Sequence, residues 1–326
     1  MSTTRHHLAK RPLAALAMGA AAMLALSACG GGSESGESGE SGAAAGGGFE
    51  SSDSAYDAIV NGGPVADDSA IEASEWAKAV KESGTLRVGG TETSTLFSNL
   101  DPTTGVVTGF DAGLTQLLAR YILGDASKTA LTQVSVDTRE ELLVNGQVDI
   151  VAATYSITPE RLERISFAGP YYSSQAGILV KADNTDINSV DDLAGKTVTT
   201  QAGSTGETTI AEFAPEATVL ALPDNAQAVQ SVEQGRADAY VIDQTLLLNN
   251  VVKAPDQLKV VGEPFGDADL YGLGVPKDSD AVAFINDFLQ KIEDDGTWLN
   301  LWKQTIQAQT EIKTEPTPPT IGEGIN

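Results

Sequence analysis

The stretch Val148-Asp-Ile-Val-Ala-Ala-Thr-Tyr-Ser-Ile-Thr-Pro-Glu-Arg161, followed by Ile165-Ser-Phe-Ala-Gly-Pro-Tyr-Tyr172, decides the fold. Its first six residues form a short, mostly apolar run, which predicts a buried strand. Thr158 and Pro159 then supply the residue types that favour a helix N-cap and first turn. The stretch therefore predicts a buried strand that leads through a short polar connection into a helix over residues 159–164.

Strand and helix patterns alternate on both sides of this stretch, and this alternation predicts an α/β protein with a mainly parallel sheet. The predicted helices are Ser69–Lys81, Phe110–Leu123, Thr138–Asn145, Pro159–Arg164, Val190–Leu193, Ser204–Phe213, Asn225–Gln234, Gln244–Val251, Asp280–Asp295 and Trp298–Thr310. The predicted strands are Leu86–Gly89, Leu131–Val136, Val148–Ala153, Ala176–Lys181, Lys196–Gln201, Ala217–Ala221, Ala239–Asp243, Gln257–Val261 and Tyr271–Pro276.

Composition excludes several classes of function. The 326 residues carry a formal charge of −25, which argues against nucleic acid as a partner and against docking on an anionic membrane surface. The only histidines are His6 and His7, and the only cysteine is Cys29. The rest of the chain therefore provides no Ser-His-Asp triad, no His/Cys zinc site and no internal disulfide, and we expect no metal and no cofactor.

The first 28 residues are predicted to be a signal peptide. Arg5, Lys10 and Arg11 form a basic start, and an uncharged, mainly apolar run too short to span a bilayer follows. Leu26-Ser27-Ala28-Cys29 resembles the bacterial lipobox, in which the cysteine receives a lipid anchor. The alternative is an ordinary signal peptide in which Cys29 occurs by chance.

The domain organisation is predicted from changes in composition. The Gly-, Ser- and Glu-rich segment after Cys29 is typical of a flexible tether, and the three prolines after Glu311 are typical of a disordered tail. The expected divisions are 1–28 signal peptide, 29–65 acylated cysteine and tether, 66–174 first part of lobe 1, 175–268 lobe 2, 269–310 return to lobe 1, and 311–326 tail.

The opening stretch, with its S-I-T-x-x-R and F-x-x-P-Y-Y patterns, resembles the polar amino-acid substrate-binding proteins of ABC importers. Further parts of the family pattern follow in order over about residues 85–304: Leu193-Ala-Gly-Lys-Thr-Val198, Gln201-Ala-Gly-Ser-Thr-Gly-Glu207, Gly235-Arg-Ala-Asp-Ala-Tyr-Val-Ile-Asp243, Tyr271-Gly-Leu-Gly-Val275 and Asp295-Gly-Thr-Trp298. The Ala-Ala-Thr-Tyr-Ser-Ile variant is most similar to glutamate-binding lipoproteins of Gram-positive bacteria. The resemblance implies a two-lobed, periplasmic-binding-protein-like fold of type II, with two hinge strands near residues 172–180 and 264–272 and a ligand cleft.

The resemblance also implies how the cleft binds an amino acid. Arg161 stands where the family holds the α-carboxylate of the ligand, and Asp243 stands where the family binds its ammonium group. The alternatives are a surface arginine and a helix N-cap. The remaining expected binding residues at the carboxylate and ammonium end are Thr154, Tyr155, Ser156 and Thr205. Thr205 also opens a predicted helix whose free N–H groups suit an anion, and Ser204 with Glu207 fits a capping box there.

Arg139 is expected to select the ligand side chain. Glutamate- and aspartate-binding relatives have an arginine at this spacing that meets the side-chain carboxylate, although Arg139 could instead pair on the surface with Asp137 or Glu140. Arg161, Arg139 and Asp243 together give a pocket charge of +1, which matches glutamate. If Glu92 faced the cleft, the pocket would be neutral, and Asn225 suits an acid or an amide equally well. Glutamine and aspartate therefore stay open.

The resulting expectation is a monomeric solute-binding lipoprotein that captures a polar amino acid, with glutamate favoured. It would deliver this ligand to the membrane subunits of an ABC permease and would be held at the outer face of the cell membrane through Cys29. The alternative of another class is a dehydratase-type enzyme on the same fold, which would have to use carboxylate, lysine or tyrosine groups for its chemistry.

Overall fold

The computed structural model of the protein describes residues 52–325. The predicted signal peptide, Cys29 and residues 29–51 of the predicted tether lie outside this range. In chain order the helices are α1 Ser52–Gly62, α2 Asp68–Glu72, α3 Glu75–Ser83, α4 Phe110–Leu123, α5 Arg139–Val144, α6 Pro159–Leu162, α7 Thr205–Phe213, α8 Asn225–Glu233, α9 Gln244–Lys253, α10 Ala281–Asp294 and α11 Thr297–Thr305, with short 3₁₀ turns at Val190–Leu193 and Gln307–Gln309. None of these described helices is both long and apolar enough to cross a bilayer.

The strands are β1 Leu86–Gly90, β2 Thr93–Ser94, β3 Ser98–Leu100, β4 Val107–Thr108, β5 Thr129–Gln133, β6 Ile150–Val151, β7 Ser166–Lys181, β8 Thr197–Gln201, β9 Thr218–Leu222, β10 Ala239–Asp243 and β11 Leu258–Val275. Eight of them form one sheet in the order β5-β1-β6-β11-β7-β10-β8-β9. The flanking strands pair in parallel, as predicted, whereas the long central strands β7 and β11 are antiparallel to each other and to their neighbours β10 and β6. Strands β2, β3 and β4 form a small separate sheet that the sequence did not predict.

The hydrophobic cores divide the described chain into two lobes. The buried clusters built from residues 56–172 and 271–306 form the first lobe, and those built from residues 176–258 form the second. Only β7 and β11 run through both lobes, because they are 16 and 18 residues long and their pairing continues from one core to the other. Their register shifts between Phe265 and Asp269, close to the change of core, and this is where we place the hinge.

Two expectations about the ends of the fold are wrong. Residues 52–62, predicted as tether, form helix α1, because Tyr56 and Val60 are buried in the first-lobe core and the Tyr56 hydroxyl donates to Gln116 Oε1 at 2.8 Å. The segment 311–325, predicted as disordered, has no regular secondary structure but lies on the first lobe. There Gly322 N–H donates to the Gly169 carbonyl at 2.8 Å, and Ile321 packs on the core.

The helix predicted over residues 69–81 is two helices. Helix α2 ends before Ala73, and α3 begins at Glu75 with Ser74 as its N-cap, since the Ser74 hydroxyl accepts from the Ala77 N–H at 3.2 Å. This cap starts a new helix axis, and Trp76, Ala77 and Val80 of α3 are then buried against the first lobe.

Candidate functional site

A cavity of about 370 Å³ lies between the lobes, and we call it the first cavity. Seven of the eight residues predicted to bind ligand line it: Arg139, Thr154, Ser156, Arg161, Thr205, Asn225 and Asp243. Tyr155 does not. Its side chain is fully buried beneath the site, because the strand-to-helix connection turns Thr154 and Ser156 towards the cavity and Tyr155 into the core. The prediction that Tyr155 contacts ligand is therefore corrected to a supporting role.

The ring of Tyr155 supports both arginines. The guanidinium carbon of Arg139 lies 3.7 Å from the ring centroid and that of Arg161 lies 5.2 Å from it. A cation held over an aromatic face is attracted by the ring, and the attraction grows when water is excluded. The ring thus holds the two positive groups in the same buried region despite their mutual repulsion.

Arg161 connects the two lobes. It is 7% exposed, its Nη1 donates to the Ser156 carbonyl at 2.7 Å, and its Nη2 donates to the Gly203 carbonyl of the second lobe at 3.3 Å. No carboxylate among the described residues forms an ion pair with it. A planar guanidinium in this position can offer paired N–H donors to a carboxylate that enters the cavity.

Arg139 is a buried cation without an anionic partner among the described residues. It is 4% exposed, its Nη1 donates to the Ala153 carbonyl at 3.1 Å, and its Nε–H finds no acceptor. The surface alternative is wrong, because Arg139 is buried and forms no ion pair with Asp137 or with Glu140, which pairs with Arg164 instead. Burial, followed by the positive charge of Arg161, lowers the pKa of Arg139 from 12.5 to about 10.

Asp243 ends strand β10 inside the cavity. It occupies the N-cap position of α9 but makes no side-chain cap hydrogen bond, so capping does not account for it. Burial, followed by the neighbouring charge of Asp269, raises the pKa of Asp243 well above its usual range. This carboxyl group is 6% exposed and lies close to Arg161 without an ion pair.

The Thr154–Ser156 connection is held by an acid that the sequence did not single out. Thr154 has a φ of 43°, unusual for a residue with a side chain, and its N–H donates to Asp111 Oδ2 at 2.8 Å. Asp111 Oδ1 accepts from the Tyr171 hydroxyl at 2.7 Å. Burial raises the pKa of Asp111 from 3.8 to about 6, and the two hydrogen bonds act against this rise.

The N-terminal ends of α7 and α8 form the second-lobe wall of the first cavity. Ser204 caps α7 by accepting from the Gly206 N–H at 3.2 Å, and Glu207 accepts from the Gly203 N–H at 3.0 Å, so neither of the two reciprocal bonds of the predicted capping box is formed. Thr205, the first residue of α7, directs its hydroxyl to Asp269 at 2.9 Å. A carboxylate bound at Arg161 would therefore also lie beside the free N–H groups at the start of α7.

Asn225 lines the cavity but its amide is already engaged. Its Nδ2 donates to Asn250 Oδ1 at 2.8 Å, and its Oδ1 accepts from Asn250 Nδ2 at 3.0 Å. Thr91 also lines the cavity, whereas Glu92 is not among the lining residues. Asp224 does line it, and this second acid brings the formal count of ionised groups from +1 to zero. Asp224 is the N-cap of α8, and a capping acid looks the same in sequence whether or not it faces a cavity.

The lobes touch across the cleft. Besides the contact of Arg161 with Gly203, the side-chain oxygen of Asn249 accepts from Leu96 N–H at 3.1 Å, and Lys253 donates to the Thr93 carbonyl. These contacts join the rim of the second lobe to the loop after β1. The cavity is thereby enclosed by both lobes, which is the arrangement that buries a small ligand and its charges.

Comparison with known proteins agrees with this geometry. Residues 86–307 match the family described as bacterial extracellular solute-binding proteins, family 3. The glutamine-binding protein GlnH of an ABC transporter of Bacillus subtilis (strain 168) is 33% identical over 231 residues, covering 70% of this chain and 84% of that protein. The glutamate-binding protein GluB of Corynebacterium efficiens is 32% identical over 187 residues, covering 55% and 63%. A solved structure of the ancestral amino-acid-binding protein AncCDT-1, described as a precursor of cyclohexadienyl dehydratase, has a TM-score of 0.63 at 33% identity and covers 70% of this chain and 98% of its own.

Proposed function

Because the chain belongs to the bacterial extracellular solute-binding proteins of family 3, we propose that it captures a polar amino acid, with glutamate first, and delivers it to an ABC importer. The family and the two-lobed fold expected from the sequence are confirmed by the match over residues 86–307. Family membership implies an extracytoplasmic location. The relatives GlnH and GluB are named as binding proteins for glutamine and for glutamate, so the choice between an amide and an acid depends on the residues of this cleft.

The observation that supports glutamate as the ligand is the buried charge of Arg139, which forms no ion pair. A buried cation is costly unless an anion meets it. No described carboxylate forms an ion pair with Arg139, and Glu140, which attracts it from farther away, is paired with Arg164. A ligand that places its α-carboxylate at Arg161 and its ammonium at Asp243 has its side chain left to meet Arg139. A second carboxylate compensates this charge, whereas the amide of glutamine offers only a carbonyl oxygen.

Isothermal titration calorimetry of the purified protein with single amino acids tests this proposal. We expect glutamate to bind more tightly than glutamine, aspartate or arginine. Tighter binding of glutamine would replace the acidic ligand by an amide and keep the transport function. Tight binding of arginine would contradict the role given to Arg139, because a cationic side chain would lie against a buried cation.

The lipid anchor is a separate part of the proposal. The sequence Leu26-Ser27-Ala28-Cys29 supports acylation of Cys29, which would keep the protein beside its permease after secretion. Metabolic labelling with a palmitate analogue is expected to mark the wild type and not Cys29→Ser. Equal labelling of both proteins would contradict this site, and a Cys29→Ser protein that stays with the membrane would contradict its anchoring role.

The dehydratase alternative has less support. The chain has no histidine or cysteine after Cys29, and proton transfer would depend on carboxyl groups such as Asp243. Incubation of the protein with a prephenate-like acid, followed by chromatographic analysis, is expected to show no loss of water from the substrate. Turnover that Asp243→Asn abolishes would favour the enzyme.

A further inference from the structure

Two hydroxyl groups of the first cavity are held by an acid that lies outside it. The Ser156 hydroxyl of the first lobe donates to Asp269 Oδ2 at 3.1 Å, and the Thr205 hydroxyl of the second lobe donates to the same oxygen at 2.9 Å. Ser156 and Thr205 line the first cavity, whereas Asp269 does not. Asp269 instead lines a neighbouring space of about 510 Å³, which we call the second cavity. Its carboxylate therefore reaches both hydroxyl groups from outside the space that a ligand would occupy.

The position of Asp269 in the fold gives it access to both lobes. It lies on the crossing strand β11, opposite Ser174 of β7, at one end of the hinge. It is partly buried, and no lysine or arginine among the described residues forms an ion pair with it. The carboxylate is therefore met by one hydroxyl donor from each lobe, and both of these donors belong to the candidate site.

These two hydrogen bonds fix what the hydroxyl groups can offer to a ligand. A hydroxyl group has one hydrogen and two lone pairs, and a carboxylate can only accept. The hydroxyl hydrogens of Ser156 and Thr205 are therefore used by Asp269, and only oxygen lone pairs are left for the first cavity. In this state the two groups can accept from an ammonium but cannot donate to a carboxylate.

The remaining groups of the site divide an amino acid in the same way. Arg161 and the N–H group of Thr205, which begins α7 and has no partner within that helix, are donors for the α-carboxylate. Asp243, which lines the same cavity, is an acceptor for the ammonium group. With the oxygens of Ser156 and Thr205 added, the site has three acceptor side chains for the three N–H bonds of an ammonium.

We propose that Asp269 is a positioning residue for the ammonium group of the ligand, because it turns the oxygens of Ser156 and Thr205 towards that group as acceptors. Without Asp269, each hydroxyl is free to turn its hydrogen into the first cavity, against the N–H bonds of the ammonium. Asp269 does not touch the ligand and acts through the two hydroxyl groups. This inference rests on the proposed function, since it takes the ligand to be an amino acid.

Calorimetric titration with glutamate compares variants of the second-cavity acids. Asp269→Ala should weaken binding by about 10- to 100-fold, because two oriented acceptors of a charged donor are lost. Asp269→Asn retains a carbonyl oxygen that can accept from the same hydroxyl groups, so it should recover at least half of this loss on a logarithmic scale. Asp267→Ala is the matched control and should bind as the wild type does, because Asp267 is exposed on the same strand and lines only the second cavity.

A double-mutant cycle separates positioning from a merely structural role. In a protein that carries Ser156→Ala and Thr205→Val, the further change Asp269→Ala should alter the affinity by less than about threefold, since the groups through which it acts are gone. Each of the two hydroxyl substitutions alone should reduce the loss that Asp269→Ala causes. Losses that simply add, or an Asp269→Ala protein with the affinity of the wild type, would overturn the proposal.

Thermal unfolding of the ligand-free protein gives a reading that does not depend on the ligand. Ser156→Ala should lower the Tm of the wild type and leave the Tm of Asp269→Ala unchanged, because it removes a hydrogen bond that only the wild type has. If this coupling is found and no amino acid binds, the transport function has failed and the hold of Asp269 on the hydroxyl groups stands. If glutamate binds and the losses of affinity add, the positioning role has failed and the transport function stands.

Discussion

Replacing Arg139 by glutamine is expected to weaken glutamate binding while leaving the ligand-free protein at least as stable as the wild type. If Arg139 serves binding at a cost in stability, its removal lowers the affinity for glutamate but does not lower the stability of the ligand-free protein. A structural arginine would lower stability and ligand affinity together. The buried position of Arg139 and its lack of an acidic partner among the described residues predict the first behaviour.

The stability effect can be worked from the environment of the guanidinium. Its pKa falls from 12.5 to about 10, and at about 1.4 kcal/mol per unit this disfavours the charged form by about 3 kcal/mol. The substitution also removes the hydrogen bond to the Ala153 carbonyl, and hydrogen bonds from charged donors contribute about 1.5–3 kcal/mol. The net change therefore lies between zero and about 1.5 kcal/mol in favour of the variant. At roughly 2–4 °C per kcal/mol, this gives a Tm between unchanged and about 6 °C higher.

The binding effect is larger and depends on the ligand. Removing one partner of a buried, hydrogen-bonded charge pair costs about 2–5 kcal/mol, which is a loss of about 30-fold to several thousandfold for glutamate. Glutamine has no side-chain charge to lose. Its contact is a hydrogen bond worth about 0.5–1.5 kcal/mol, so its affinity should fall by roughly tenfold at most.

Calorimetric titration of both amino acids, with thermal unfolding of the ligand-free protein, measures the three quantities. Arg236→Gln is the matched control, because Arg236 is an exposed arginine of the second lobe that does not line the first cavity, so its loss should leave both affinities unchanged. Equal losses for glutamate and glutamine, together with a Tm lowered by more than about 5 °C, would refute the reasoning and make Arg139 a structural residue.

Three further predictions concern the residues around Arg139. Arg161→Lys should weaken glutamate and glutamine equally, by about 2 kcal/mol or more in calorimetry, because a point charge replaces the planar fork that meets the α-carboxylate common to both. Burial raises the pKa of Asp111 in the folded protein from 3.8 to about 6. The stability of the wild type relative to Asp111→Asn, measured by urea unfolding, should therefore fall by about 1 kcal/mol between pH 5 and pH 7. A relative stability that rises over this pH range would contradict the prediction. Tyr155→Phe keeps the ring beneath the arginines and should bind within about threefold of wild type, whereas Tyr155→Leu should lose about tenfold, and equal affinities would show that the ring is not needed.

Local signals account for the parts of the fold that the sequence predicted well. Helix α4 has the predicted bounds, because its apolar spacing is regular and Gly124 ends it in the left-handed conformation. Helix α7 begins within one residue of the prediction, since Ser204 is a capping residue. In such elements the chain carries both the apolar face and the start or stop signal within a few residues.

Other elements depend on contacts that no local pattern contains. Helix α1 is weakly apolar in sequence and is held by burial of Tyr56 and Val60 in the first-lobe core, with Tyr56 bound to a residue of α4 that lies 60 positions further along the chain. The final segment has no repeating pattern, and it is placed by one backbone hydrogen bond to Gly169 and by Ile321. Composition alone therefore suggested flexibility for both segments.

The candidate site also contains both residues that the sequence predicted and residues that only the fold reveals. The strand-to-helix connection predicted Thr154, Ser156 and Arg161, and all three line the first cavity. Asp111 and Asp269 were missed, because an acid at the start of a helix or in an irregular strand is usually a solvated group. Only the fold shows that Asp111 holds Thr154 and that Asp269 binds Ser156 and Thr205.

Because Asp224 also lines the first cavity, the summed charge of the cavity no longer favours glutamate. The environment of each charged group decides the choice of ligand instead. With Asp224 included, the formal sum at the first cavity is zero, which would suit a neutral ligand. The charge of Asp224, however, is already met by the Gln227 N–H and the Gln227 side-chain amide, both at 2.8 Å, at a partly exposed position where solvent screens it. The charge of Arg139 is shielded from solvent and forms no ion pair with a described carboxylate, and Glu140, which attracts it, is already paired with Arg164. Since a buried group contributes through its nearest partner rather than through the sum of charges, the uncompensated guanidinium favours a ligand that brings its own second carboxylate.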